Sequence, residues 1–313
     1  MIPFAFMGKQ PKQIVQFIAQ AFDTNIFAYT KDAKNWIQGT LPSSQTIYCG
    51  ICVGGKWIMP SRSNAIVFNS NDGINWTSSA LPQVGGAITY GNGVYIIVTG
   101  YGSSTANYLY STDGVNWVIK TFPLSQVYVS VCYGNNVFVA IAYNSNTLFY
   151  SIDGINWTES ASPSISFWTA YGNNLFVSIP LNGNYCITSP DGKTWTQRTL
   201  PVTINANIGN SIAYGNDVFV ILEGSKNVLT SSDGINWTEY DALITGQCIT
   251  FGNGLFLITS NGSTFSTSPD GINWTQGNMP SSQNWFTAIS SNASSANGVS
   301  DGGDDDPDPE KGT

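Results

Sequence analysis

Histidine is absent from the 313 residues, and arginine occurs twice, as Arg62 and Arg198. Without histidine, a Ser-His-Asp triad and any histidine-containing metal site are excluded. Charged residues make up only 10% of the chain, with 11 lysines and arginines in all. No basic stripe forms, so neither nucleic acid nor an anionic membrane surface is an expected partner. The net charge of −8 is itself unevenly placed: Asp301, Asp304, Asp305, Asp306, Asp308 and Glu310 crowd the end, and the body is nearly neutral. Long apolar runs are missing too. The opening "MIPFAFMGKQPKQ" has no charged segment before its short apolar stretch, so neither a signal peptide nor membrane insertion is expected. Of the five cysteines only Cys49 and Cys52 are close in sequence. Positions i and i+3 of a strand point to opposite faces, so all five are read as buried thiols.

What the chain does contain is aromatic residues (13%) and many turn formers, 32 of them glycine. This is the profile of an all-β protein rich in turns. One stretch recurs: "SNDGINW" (70–76), "STDGVNW" (111–117), "SIDGINW" (151–157), "SPDGKTW" (189–195), "SSDGINW" (231–237) and "SPDGINW" (268–274), after a frayed "TKDAKNW" (30–36). Successive tryptophans lie 37–42 residues apart. A second motif keeps phase with it: "YGNGVYIIV" (90–98), "YGNNVFVAI" (133–141), "YGNNLFVSI" (171–179), "YGNDVFVIL" (214–222) and "FGNGLFLIT" (251–259), with "CVGGKWIM" (52–59) degenerate.

Within one unit, residues 83–123, "GAITY" reads as strand A, "GNG" as a tight turn and "VYIIVTG" as strand B. Strand C is then "NYLYS", "TDGV" a turn and "NWVIKTF" strand D. A four-stranded antiparallel unit with a period near forty is a propeller blade. Six full units fit between about residues 45 and 280. The ends complete a seventh: "WFTAISSN" (285–292), aligned with "WTAYGNN" (168–174), supplies strand A, and residues 13–36 supply B, C and D. The expectation is a seven-bladed β-propeller over residues 13–292. Its closing blade is shared between 13–44 and 281–292, flanked by an arm (1–12) and an acidic tail (293–313). Residues 12–22 alone are ambiguous with helix.

In the repeated turn the aspartate carboxylate can accept local backbone amides, the glycine permits a left-handed backbone, and the tryptophan can wedge between sheets. The pattern resembles the Asp-box, or BNR repeat, of sialidase-like propellers, with one residue fewer between Asp and Gly. The resemblance implies structural roles for Asp72, Gly73, Trp76, Asp113, Gly114, Trp117, Asp153, Gly154, Trp157, Asp191, Gly192, Trp195, Asp233, Gly234, Trp237, Asp270, Gly271 and Trp274. Asp32 and Trp36 form the weaker copy, because Ala33 replaces the glycine. It also places the boxes on the face away from an active site. Four boxes read N-W-T, at Asn75, Asn156, Asn236 and Asn273, and repeat register explains this better than glycosylation.

The sialidases that the motif resembles hold their substrate carboxylate with three arginines, and two arginines cannot build that site. A glycosidase pair would have to come from Asp23, Glu159, Asp217, Glu223, Glu239 and Asp241, the acids outside the boxes and the tail. No catalytic residue, cofactor or metal is assigned; the acidic run Asp304–Asp308 lacks the spacing of a calcium loop.

Opposite the boxes, the B–C connections stop resembling one another: "MPSRSNA", "TGYGSSTAN", "AYNSNT", "PLNGN", "EGSKN" and "SNGS". Variation on one side of a repeating scaffold fits recognition by loops. The candidate ligand contacts are Arg62, Tyr101, Tyr143, Trp168, Asn184 and Arg198. Charge-poor rings of this kind resemble domains of tailed-phage tail fibre, tip and other virion proteins. That resemblance implies a non-catalytic virion protein that binds a host-surface glycan or protein, or docks to other virion proteins through residues 1–12 and 293–313, with homo-oligomers compatible. A cellular lectin or assembly scaffold is the alternative, and a glycosidase the distant one.

Overall fold

The computed structural model describes residues 14–99, 106–143, 145–205 and 211–291. Among them there is no helix, and residues 17–21 of the stretch ambiguous with helix are strand. It begins with β1 (Phe17–Ala21), β2 (Thr24–Thr30) and β3 (Trp36–Gln45), paired antiparallel in that order. Five four-stranded antiparallel sheets follow. The first is β4 (Ile51–Val53), β5 (Lys56–Pro60), β6 (Ile66–Ser70) and β7 (Thr77–Ala80). The second is β8 (Ile88–Gly91), β9 (Val94–Val98), β10 (Asn107–Ser111) and β11 (Val118–Thr121). The third is β12 (Tyr128–Gly134), β13 (Val137–Ala142), β14 (Thr147–Ser151) and β15 (Thr158–Ala161). The fourth is β16 (Trp168–Gly172), β17 (Leu175–Ile179), β18 (Asn182–Ser189) and β19 (Thr196–Asn205). The fifth is β20 (Ile212–Gly215), β21 (Val218–Leu222), β22 (Asn227–Ser231) and β23 (Thr238–Asp241). Last come β24 (Gly246–Gly252), β25 (Leu255–Ser268) and β26 (Thr275–Ser290).

This is a propeller of four-stranded antiparallel blades. Counted by hydrogen-bonded sheet it has six blades, where the repeats led to an expectation of seven. The difference lies in the last sheet, which has six strands in the order β24-β25-β26-β1-β2-β3. β25 and β26 run on through what the repeat marks as a loop and a link, and they pair there, Asn261 with Asn284 and Gly262 with Gln283. The last repeat is thereby joined to the closing one by continuous strand. First strands meet around the axis from β4 to β8, β12, β16, β20 and β24, then to β26 and back to β4. The six-stranded sheet contributes twice to that circle.

The N- and C-terminal segments close the ring as β1 pairs with β26, Phe17 opposite Ser290 and Gln20 opposite Thr287. The register is one residue off the sequence match of "WFTAISSN", because Phe286 is taken up as a bulge between the Gln20–Thr287 and Ala21–Trp285 pairs. Ser290 therefore stands where Tyr171 stands in β16, and it covers Gly252 of the neighbouring inner strand.

The core is made by the second and third strands, whose residues are shielded on both faces; Val94–Val98 and Val137–Ala142 are buried throughout. The Y-G-N motif has a packing reason. A Cβ on Gly134 would lie 2.1 Å from the Tyr171 ring, and Gly172 and Gly215 meet Tyr214 and Phe251 at the same distance. Four inner strands, β12, β16, β20 and β24, thus lay an aromatic ring on the glycine of the previous one, and at the seam Ser290 takes that place. All five cysteines are buried outside any disulfide, and burial pushes the thiols of Cys49, Cys52, Cys132 and Cys186 up to about 12.

Candidate functional site

The repeated turn uses up its own chemistry. In Ser151–Trp157, Asp153 Oδ1 accepts the amides of Ile155 and Asn156, both at 2.8 Å, and Oδ2 accepts Asn156 Nδ2 at 2.7 Å. Ser151 Oγ donates to Asp153 Oδ1 at 2.9 Å and accepts the Gly154 amide at 2.9 Å. Asp72, Asp113, Asp233 and Asp270 repeat the pattern. At Asp191 a threonine hydroxyl, from Thr194, replaces the asparagine amide. The frayed copy also forms its aspartate turn: Ala33 takes a left-handed backbone (φ 55°), and Lys34 and Asn35 donate to Asp32 at 2.9 and 2.7 Å.

For Asp72, Asp153, Asp191, Asp233 and Asp270 burial alone would push the carboxyl up, but the amide and hydroxyl donors together outweigh it. For Asp32 and Asp113 the amides of Asn35 and Asn116 dominate outright. All seven carboxyls are held below the usual range, Asp191 and Asp270 at about 2. The asparagine of N-W-T is a member of the turn, with its amide turned onto the aspartate, a role that repeat register alone did not reveal. Trp157 is 8% exposed, with its ring 4.8 Å from Phe122 and 5.9 Å from Tyr108 of the preceding sheet.

The A–B turns lie on the same face and stitch it together. Asn92 Nδ2 donates to the carbonyl of Ile152, Asn135 to Pro190, Asn173 to Ser232 and Asn216 to Pro269, at 2.8–3.2 Å. Each acceptor immediately precedes the box aspartate of the next sheet along the ring. These asparagines take positive φ, which suits their side chains to the turn.

The opposite face, of B–C and D–A connections, holds most of the candidate contacts but does not gather them into one site. Arg62 lies over the Tyr48 ring, 4.3 Å from its centroid. Tyr143 is exposed and meets Phe167 edge-on at 6.0 Å. Trp168 is 7% exposed, against Phe167, with a shielded Nε1 that has no partner. Asn184 is exposed on β18, and Tyr101 lies outside the described residues. Arg198 corrects the loop assignment: it sits in outer strand β19 opposite Cys186, with Nε donating to Thr188 Oγ1 at 3.3 Å. Its strand position follows from β19 starting directly after the box, so Arg198 falls near the box end of the outer rim.

Arg62 does belong to a cluster, one that loop variability alone did not expose. Phe22, from the two-residue turn between β1 and β2, packs on Phe286 at 5.0 Å, and Phe286 on Tyr48 at 5.1 Å. Phe22 is 36% exposed. Beneath them two buried glutamines tie the loops down. Gln20 Nε2 donates to the carbonyls of Ala21, Thr24 and Gln45. Gln45 Oε1 accepts from Ser61 Oγ (2.7 Å), Ser63 Oγ (2.9 Å) and Asn64 Nδ2 (3.0 Å), all in the loop that carries Arg62. The sequence signal for this was Gln20 itself, an amide inside the strand "QFIAQA" where other repeats read "FVAIA" and "FVSIP".

The remaining carboxylates are spread out. Asp23 accepts Thr46 Oγ1 at 3.2 Å, Asp217 the Tyr214 hydroxyl at 3.2 Å, and Asp241 the Leu243 amide at 2.7 Å. Glu223 takes the Ser225 hydroxyl and Glu239 the Asn227 amide, while Glu159 lies on outer strand β15. Among the described residues no three His, Cys, Asp or Glu side chains gather as a metal site.

Solved structures share this architecture at low identity. A streptogramin B lyase superposes with a TM-score of 0.66 at 15% identity, covering 80% of this chain and 91% of that one. A catalytically inactive histidine-to-alanine variant of virginiamycin B lyase from Staphylococcus aureus, with quinupristin, gives 0.64 at 15%, covering 85% and 96%. YCF48 bound to D1 peptide gives 0.59 at 15%, covering 86% and 88%. At these identities the likeness is one of fold. No protein of curated function matches the sequence. A family model does, over residues 82–203 and again over 170–300, two overlapping registers as a repeating chain would produce. The inner aromatic–glycine pairs and five of the seven box turns fall within those spans, and the chain belongs to the family of the DUF6242 β-propeller domain.

Proposed function

We propose that this chain is a non-catalytic recognition propeller of a tailed-phage virion, in a tail fibre, tip or surface decoration, engaging a host-surface glycan or protein. The observation that carries the reading is the contrast between faces. The box carboxylates are consumed by their own turns, whereas the other face presents unlike loops rich in hydroxyl, amide and aromatic groups. The virion assignment is supported by composition: a surface poor in charge and rich in serine, threonine, asparagine and glycine.

The lyase neighbours do not carry their activity here. The inactive Staphylococcus variant lost a histidine, and this chain has none to place there. A second reading, a cellular assembly scaffold, draws on YCF48, a similar ring that binds a peptide.

The test is binding of the full chain to an oligosaccharide array and to intact bacteria, with immunogold labelling of purified phage particles. Labelled tails or capsids together with saturable cell binding are expected. Absence from particles would remove the virion assignment, and absence of cell and glycan binding would remove adhesion. Turnover of quinupristin would overturn the non-catalytic reading.

A further inference from the structure

We infer that the aromatic cluster at the closure seam, Phe22, Tyr48 and Phe286 with Arg62 and Asp23, is a subsite for one pyranose ring of a neutral glycan; the inference rests on the recognition reading above. Four segments deliver these side chains: the β1–β2 turn, the link from β3 to β4, the β5–β6 loop and the inner part of β26. Phe286 is the extra residue of the β1–β26 bulge, which re-aims its side chain toward Phe22 and Tyr48. Inclined rings at 5.0–6.4 Å leave Phe22 as the exposed apolar face on which the C–H edge of a sugar can stack.

The polar groups suit hydroxyls rather than an anion. Arg62 and Asp23 bring one charge of each sign and are joined through Thr46. Its carbonyl accepts the Arg62 amide at 2.9 Å, and its hydroxyl donates to Asp23 at 3.2 Å. A carboxylated or sulfated sugar would gain one guanidinium and face one carboxylate, whereas a neutral sugar uses both as hydrogen-bond partners. Two shielded oxygens flank the Phe22 turn without partners, Gln20 Oε1 and Asn284 Oδ1; the Asn284 carbonyl accepts the Phe22 amide at 2.8 Å. Unpaired buried acceptors are uncommon, and a ligand hydroxyl acting through one water would satisfy them.

The cluster is also preorganised beyond what closing the ring requires. Gln20 is wholly buried at a place where other sheets have Ile141 and Ile179. Its amide, with that of Gln45, fixes both the Phe22 turn and the Arg62 loop before any ligand arrives. That lowers the ordering cost of binding.

The experiment uses the full chain on an array of neutral hexose- and N-acetylhexosamine-terminated oligosaccharides beside sialylated and sulfated ones, followed by calorimetry on the binders. Phe22→Ala should weaken binding of a neutral oligosaccharide at least tenfold, and Arg62→Gln roughly three- to tenfold, with melting temperatures close to that of the parent. Thr158→Ala, exposed on outer strand β15, should leave affinity unchanged. Neutral-glycan binding that survives Phe22→Ala and Arg62→Gln together would overturn the subsite and leave the recognition reading standing. Preference for sialylated or sulfated glycans would overturn the neutral assignment, and binding to no glycan at all would remove the subsite.

Discussion

On the box face, Asp72, Asp113, Asp153, Asp233 and Asp270 take the same donors at nearly the same distances, five times around the ring. On the loop face, Arg62, Tyr143, Trp168 and Asn184 have four unlike environments. A turn that must satisfy its own amides and join two strands tolerates little change. A loop that only has to return the chain is free to vary, and chemistry for a partner can accumulate there. The exposed aromatic on a two-residue turn at the seam is the extreme of that freedom.

The contrast is most severely tested by breaking the repeated face. Trp157→Ala should cost about 3–5 kcal/mol of stability, measured by denaturant unfolding, because a ring filling the gap between two sheets is lost. Ligand affinity of the molecules that still fold should not change. Gly134→Ala should cost about 1–3 kcal/mol, since its methyl must displace the Tyr171 ring from 2.1 Å. A folded, fully stable Gly134→Ala protein would contradict the inner circle of rings on glycines.

Asp153→Ala should cost about 1–2 kcal/mol by releasing amides that the carboxylate satisfies. The same carboxylates impose a pH dependence. Their folded pKa values lie below the unfolded value of about 3.9, so their contribution is complete above that pH. It is lost as pH falls from about 4 through about 2, where Asp191 and Asp270 titrate. Thermal unfolding between pH 7 and pH 2 should show a plateau followed by a fall below pH 4, shallower in Asp153→Asn. A fall already complete at pH 5 would contradict the turn geometry. At the small end, Tyr143→Ala should move stability by no more than about 0.5 kcal/mol, which sharpens the contrast between faces by leaving scaffold and seam alike intact.

Much of this was legible in the chain. Strand and turn in residues 83–123 were readable because Gly-Asn-Gly and Asp-Gly turns are local chemistry; β9 to β11 lie within the segments expected of them, and β8 runs one residue past its segment to Gly91. The five buried cysteines were readable as well. Arg198 was misplaced because a repeat alignment locates a loop only where its neighbours are known, and here a strand begins immediately after the box. The count of separate blades was overestimated for a related reason. "SNGS" and "PSSQ" look like interruptions singly, yet facing each other they complete one antiparallel ladder. The seam cluster was illegible because its three rings come from opposite ends of the chain and meet only once the ring closes.

The sequence by itself determined the class of fold, the repeating turn and the consumption of its aspartates, since each of those depends on contacts within a few residues. It also excluded histidine chemistry. Tertiary structure decided the fusion of the last two repeats into one sheet, the bulge that redirects Phe286, and the convergence of Phe22, Tyr48 and Arg62. Those depend on register between distant strands, and register is settled only when side chains from both ends of the chain compete for the same buried space.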